Sequence, residues 1–233
     1  MSWQAHYITL FPEMFPGTLG ESLAGRAHAA GIWHCQTHHL REHGAGKHKN
    51  VDDTPAGGGA GMVLRADVAG AAIEHVVAQN PGLPLIMPSP RGAVFDQAMA
   101  ADLAQGPGAI FFCNRFEGVD ERVIEAFGCR EVSLGDYILS GGEPAALTMS
   151  DAIIRLLPGV MGSDMSSDEE SFTDDVLEYP QYTKPARWQE RDIPAVLLSG
   201  DHGKIAAWRR EKSAEITKKR RPDLWAKHEA DKK

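Results

Sequence analysis

Cysteine is scarce in this sequence: Cys35, Cys113 and Cys129 are the only three in 233 residues. They are too few and too scattered for a disulfide framework, and none sits in a C-x-x-C pair, so they read as reduced packing residues. Long apolar runs are also missing. No stretch approaches the roughly 18 uninterrupted apolar residues that span a bilayer, and "MSWQAHYITLFPEMF" lacks the basic start and apolar centre of an export signal. A cytoplasmic protein with no membrane partner is expected. No G-x-x-x-x-G-K-[ST] occurs, which excludes a P-loop nucleotidase. Positive charge is short as well. The net charge is −8, and as an average it argues against a nucleic-acid partner.

That average conceals an asymmetry. Residues 204–233 carry 11 Lys/Arg against 5 Asp/Glu, a net of +6, whereas residues 1–203 carry 13 against 27, a net of −14. A basic tail on an acidic body presents one face to an anionic partner, and it equally describes a solvated, salt-bridged helix.

Short apolar runs alternate with helix-like segments through the first two-thirds of the chain. Strands are expected at 7–11, 32–40, 83–88 and 108–113, the last two short, apolar and bounded by Gly or Pro as buried parallel strands are. Helices are expected at 18–31, at 67–80 with Asp67 as N-cap, and at 96–105 and 120–127. The pattern predicts an α/β domain with a mostly parallel sheet. "GSDMSSDEESFTDD" (162–175) is acidic and almost without core residues, and reads as a flexible linker. Beyond it, a capped helix starts near Ser199–Asp201, breaks at Pro222 and is followed by a short final helix. The expected organisation is a domain over 1–161, a linker over 162–175 and a helical domain over 176–233.

Several motifs bear on chemistry. "AGGGAGM" (56–62) contains G-x-G-x-G, but the preceding "KHKNVDDTP" is no strand, so a dinucleotide fingerprint is disfavoured against a flexible loop. His34, His38, His39, His43 and His48 fit no familiar metal-ligand spacing, and His39 points away from the strand face that His34 and His38 share. "CNRFEGVDERVIEAFG" (113–128) begins at the carboxyl end of an apolar strand, where open α/β sheets bind ligands. A helix start explains Asp120 and Glu121 but not Asn114 to Gly118. "IMPSPRG" (86–92) follows another strand end, with Pro88 and Pro90 holding the backbone extended. "SLGDYILSGGEPA" (133–145) packs three glycines around a short apolar run. These three loops carry almost no fixed cation for a phosphate. They suit a largely uncharged planar ligand wrapped by main-chain groups, with glycines allowing close approach.

Together these stretches resemble the bacterial tRNA (guanine-N1)-methyltransferases, which act at guanine-37, just 3′ of the anticodon. The resemblance runs over nearly the whole chain: "LFPEMF" (10–15), "VDDTPAGGGAGM" (51–62), "SPRG" (89–92), "CNRFEGVDERVIE" (113–125), "SLGDYILSGGEPA" (133–145), "ESF" (170–172), "YPQYTKP" (179–185), "VLLSGDHGKIAAWR" (196–209) and "RRPDL" (220–224), in the family's order and spacing. It implies a deep trefoil-knotted α/β domain of the SPOUT class with a mostly parallel sheet, a small all-α C-terminal domain, and a homodimer whose active site lies at the subunit interface. It also implies S-adenosyl-L-methionine as methyl donor. The family pattern carries cofactor contacts onto Pro88, Ser89, Pro90, Asn114, Phe116, Glu117, Ser133, Leu134, Gly135, Asp136, Tyr137, Ile138, Leu139, Gly141 and Gly142. The family usually has Gly where this chain has Asn114, and Tyr at the positions of Met87 and Phe116. Asn tolerates a left-handed backbone, so the loop is expected to survive at Asn114.

Methylating guanine N1 requires a proton acceptor and a group that stabilises negative charge building on O6. The resemblance gives these roles to Glu170, where the family has Asp, and to Arg155. Asp168 and Glu169 are rivals for the base. The basic residues Lys204, Arg209, Arg210, Lys218, Lys219, Arg220 and Arg221 are then expected to grip tRNA phosphates. Family members are helped by magnesium (Mg2+). The sequence offers no dedicated metal cage, so an ion is expected to sit with substrate or cofactor. A SPOUT-class RNA ribose 2′-O-methyltransferase is the alternative reading, and the acidic linker speaks against it.

Overall fold

The computed structural model describes residues 2–161, 171–172 and 175–230. The chain divides into two compact units, Met1–Gly162 and Ser163–Lys233. The first contains strands β1 (Trp3–Thr9), β2 (Trp33–His39), β3 (Asp52–Asp53), β4 (Val63–Leu64), β5 (Leu85–Val94), β6 (Gly108–Phe112) and β7 (Arg130–Ser133). Its helices are α1 (Ser22–Ala29), α2 (Ala66–Gln79), α3 (Gln97–Gln105), α4 (Glu121–Phe127) and α5 (Glu143–Ile154). The second contains the two-residue strands β8 (Arg187–Trp188) and β9 (Arg191–Asp192) and helices α6 (His202–Arg220) and α7 (Pro222–Ala230).

Five strands form one sheet in the order β2-β1-β6-β5-β7, and each neighbouring pair is parallel. Alternation along the strands sorts side chains onto two faces. Trp3, Ala5 and Tyr7 of β1, with Trp33, Ala109 and Phe111, meet α1, α3 and α5 in one core. Ile8, Met87, Ile110 and Phe112 meet α2 and α4 in the other. Trp33, Tyr7, Phe111 and Phe112 are fully buried, and burial of each large apolar side chain contributes about 1.5–3 kcal/mol. The expected α/β class with a parallel sheet is the observed one.

The helix ends follow local chemistry. Asp96 caps α3 by accepting from the Met99 N–H at 2.8 Å, and Asp120 caps α4 by accepting from the Arg122 N–H at 3.0 Å. Gly128, in the left-handed region at φ 59°, closes α4. Asp67 is not the N-cap of α2. Arg65 takes that position, and Asp67 sits in the first turn, held by the Arg65 guanidinium. β1 begins at Trp3 rather than at Tyr7, because the polar-looking Gln4 and His6 belong to it. The helix expected over 18–31 is shorter, since Gly17–Gly20 forms a 3-10 turn before α1. β7 and α5 were not anticipated as elements. The loop expected over 133–145 ends earlier, because α5 starts at Glu143 with Pro144 in its first turn.

The histidines do not gather as a ligand set. His6 Nδ1 lies 3.1 Å from His38 Nε2 on neighbouring strands β1 and β2, while the ring of His43 lies tilted at 54° to that of His75 of α2. Burial holds His6 below the ordinary histidine value. Burial first, and then the positive potentials of His6, His75 and His43, push His38 down to about 4, with Glu42 opposing. Both rings are therefore neutral in the fold and must charge when it opens in acid. Their stability contribution is fully present above the unfolded value of 6.5 and is lost as the pH falls toward 4. The thermal unfolding midpoint is expected to drop over that interval, and to drop less in His38→Asn. Parallel pH profiles for the two proteins would remove the pair as the cause.

In the second unit, Asp201 caps α6 through the Lys204 N–H at 3.1 Å, as its sequence suggests. Thr217 is the buried residue of this 19-residue helix. Its hydroxyl accepts from the Leu177 N–H at 2.8 Å and donates to the Ser213 carbonyl at 2.7 Å. Among the described residues, Arg210, Lys219 and Arg220 are exposed and form no ion pair. Pro222 opens α7.

Candidate active site

Three segments on adjacent parallel strands meet, two of them leaving the carboxyl ends of β6 and β7. The first is the middle of β5. Pro88 pairs with Val132 of β7, and Ala93 pairs with Val132 again, so Ser89–Gly92 bow out of the ladder. Pro88 and Pro90 carry no N–H and cannot repair it. Gly92 is required at its position: a Cβ there would lie 2.2 Å from the Glu131 carbonyl carbon. Side chains pin the bow. Ser89 Oγ donates to Glu131 Oε1 at 2.6 Å, Arg91 Nε donates to the same oxygen at 3.1 Å, and Arg91 also donates to Glu121 at 3.0 Å.

The second segment runs from Cys113 to Gly118. Cys113 extends β6 by donating its N–H to the Ile8 carbonyl at 2.9 Å, and its thiol is fully buried, where burial pushes it far above the ordinary value. Cys35 and Cys129 are pushed up to about 11 by the same cause, so all three thiols are packing residues rather than nucleophiles. The non-glycine residue of this loop with a left-handed backbone is Phe116, at φ 61°, and not Asn114. The Asn114 carbonyl instead accepts from the Gly142 N–H at 2.9 Å. Glu117 donates its N–H to the Met62 carbonyl at 3.0 Å, and a Cβ on Gly61 would lie 2.5 Å from the Glu117 side chain. The glycine-rich stretch 56–62 therefore packs its end against the site, between the short antiparallel strands β3 and β4.

The third segment is Ser133–Gly142. Ser133 Oγ accepts from the Gly135 N–H at 3.1 Å. Gly142 approaches the second segment so closely that a Cβ would lie 2.9 Å from Cys113 Cα.

These segments enclose a cavity of about 430 Å³, within the usual range for a small-molecule site. Every residue that the resemblance nominates for the cofactor lines it except Asp136. Met87, Arg91, Arg115, Glu121 and Glu131 line it too. Sequence reading passed over Arg91 and Glu131 because their partnership spans 40 residues. Arg155 is half-buried just after α5 and is not part of the lining. Glu170, Asp168 and Glu169 lie outside the described residues.

The donor set fits an S-adenosyl group better than a phosphate. Arg91 is committed to Glu121 and Glu131, and Arg115 to Glu143, so the lining arginines already face carboxylates. Glu117 adds negative charge to the wall, suited to a cationic sulfonium or ammonium. Glycines and prolines in the wall leave main-chain groups to meet a planar ring.

A parallel sheet with such a cavity at its strand ends defines a ligand-binding α/β protein. The comparison with known proteins is specific. The model of the tRNA (guanine-1)-methyltransferase TrmD family matches residues 3–227, and the chain belongs to that family. The chain is 59% identical to the tRNA (guanine-N(1)-)-methyltransferase of Ruegeria pomeroyi over 99% of its own length and 95% of the relative. It is 59% identical to that of Gluconobacter oxydans, covering 97% and 96%, and 56% identical to that of Mesorhizobium japonicum, covering 98% of each.

Proposed function

We propose that this protein transfers a methyl group from S-adenosyl-L-methionine to N1 of guanine-37 of tRNA. The observation that carries the reading is the convergence of 88–90, 114–118 and 133–142 on one cavity in a chain of this family. When bound, the cofactor supplies an electrophilic methyl on a sulfonium. The protein's own residues do the rest. Main-chain groups of the three segments hold and orient the donor, and the bowed Ser89–Gly92 segment closes one wall. Glu170 takes the N1 proton, and Arg155 stabilises negative charge on O6.

The same reading gives α6 and α7 the tRNA backbone, through the exposed cations of α6. It includes the trefoil knot and residence in the cytoplasm. It also includes a homodimer, supported by apolar side chains at the cavity mouth: Ile138 is 82% exposed, Tyr137 56% and Phe116 51%. Single side chains of this size in water are unremarkable, but three of them lining one ligand site suit a surface that a partner covers. Among the described residues, no helix is long and apolar enough to cross a membrane.

The test is a methylation assay with labelled S-adenosylmethionine on unmodified tRNA whose guanine-37 follows another guanine, read by nucleoside mass spectrometry. The expected product is 1-methylguanosine at position 37, made by a species that sediments as a dimer. A 2′-O-methyl nucleoside instead would replace this chemistry with that of a ribose methyltransferase, and a fully active monomer would end the shared-site picture.

A further inference from the structure

Glu143 is a carboxylate with no exposure to solvent, at the first turn of α5, and it does not line the cavity. A buried carboxylate is costly unless paired and hydrogen-bonded. Its Oε1 accepts from the Thr9 hydroxyl at 2.8 Å, and its Oε2 lies 2.8 Å from Arg115 Nε. The Nε–H is not aligned with that oxygen, so charge rather than a straight hydrogen bond holds the pair. Thr9 is itself fixed, accepting from the Phe11 N–H at 2.9 Å.

Arg115 carries this anchorage outward. Its guanidinium sits over the Phe11 ring, 4.4 Å from the centroid, and donates to the Ser140 carbonyl at 3.2 Å. It occupies the space a side chain at position 141 would need, since a Cβ on Gly141 would lie 2.3 Å from Arg115 Nε. One charged link thus runs from the end of β1, through the start of α5, to the turn Ser140–Gly142, whose two glycines line the cavity.

We propose that Glu143 is a positioning residue for the methyl donor: acting through Arg115, it sets the geometry of the Ser140–Gly142 wall and hence the cofactor affinity, without touching the cofactor. This rests on the methyltransferase reading. A network that served stability alone would tolerate replacement of both charges by neutral groups of similar shape. A positioning network would not, because the hold on Ser140 disappears with the guanidinium.

The experiment compares the wild type, Glu143→Gln and the double variant Arg115→Met/Glu143→Gln. S-adenosylhomocysteine binding is measured by calorimetry, alongside thermal midpoints and steady-state kinetics. Glu143→Gln, which removes the charge that holds Arg115, is expected to weaken S-adenosylhomocysteine binding about tenfold. It should raise KM for S-adenosylmethionine in step while leaving kcat at saturation within about twofold. In the double variant the thermal midpoint recovers but the weak binding persists. Thr9→Val, which keeps both charges and removes one donor, is expected to weaken binding less than Glu143→Gln, and it covers the case in which Glu143→Gln does not fold. Unchanged binding in folded Glu143→Gln or Thr9→Val, or recovery of binding together with stability in the double variant, overturns the inference. A wild type that binds no S-adenosylhomocysteine overturns the methyltransferase reading, and this inference with it.

Discussion

Glu170→Gln is expected to lower kcat by roughly a thousandfold, while S-adenosylhomocysteine and tRNA bind within about twofold of the wild type. A positioned base contributes typically 10²–10⁴ in rate, and the amide keeps the size of the side chain while losing its ability to take a proton. Guanine N1 is protonated at neutral pH, so without an acceptor the attacking lone pair is tied up. The stem at 170 is one methylene longer than the Asp of the family pattern, and Asp168 and Glu169 are adjacent carboxylates. Turnover that survives Glu170→Gln but is abolished in Asp168→Asn or Glu169→Gln would move the base along the segment. Arg155→Ala in the same assay should cost on the order of 10²–10³ in kcat, the usual loss for one group that stabilises developing negative charge.

The second large effect is expected in α6. Reversing Arg210, Lys219 and Arg220 to Glu should weaken tRNA binding at least a hundredfold near physiological salt. It should also flatten the dependence of log Kd on log salt, by about 0.7–0.9 for each phosphate that is no longer neutralised. These residues are exposed and form no ion pair among the described residues, so they are removable without breaking an internal salt bridge. Asp201, Thr217 and the Lys212–Glu215 pair, which hold the helix, are untouched. The cofactor cavity is built within residues 87–145, so cofactor affinity should stay unchanged. An unaltered salt slope would mean that the positive tail is only a solvated face.

The sheet was legible where apolar runs are bounded by turn residues, as at β5 and β6, and so was its parallel character. β7 was not legible: Arg130–Ser133 is four residues long and opens with two charged ones, too short for a period to emerge. α5 was hidden by Gly141-Gly142-Glu143-Pro144, which reads as a turn even though proline suits a first helical turn. Within the site, segments that continue a strand could be found from sequence. The ties between them could not: Ser89 to Glu131 is 42 residues apart, and Thr9 to Glu143 is 134. That Asn tolerates a left-handed backbone was the ground for expecting the loop to survive at Asn114, but Asn114 does not adopt one: the left-handed non-glycine position is Phe116, between the hydrogen bonds that Asn114 and Glu117 make to Gly142 and Met62.

The wall made of Pro88, Pro90, Gly135, Gly141 and Gly142 bears on inhibitor resistance. Main-chain amides and carbonyls are the same whatever side chain a codon specifies, so a compound that bonds to them keeps its partners through most single substitutions. Gly142 is closed to change, because a Cβ there would press on the Cys113 backbone, and a side chain at 141 would have to displace Arg115. Escape is left to lining positions whose side chains can vary, such as Met87 and Leu134, where an altered side chain shifts the fit of a bulky compound more than that of the compact natural donor.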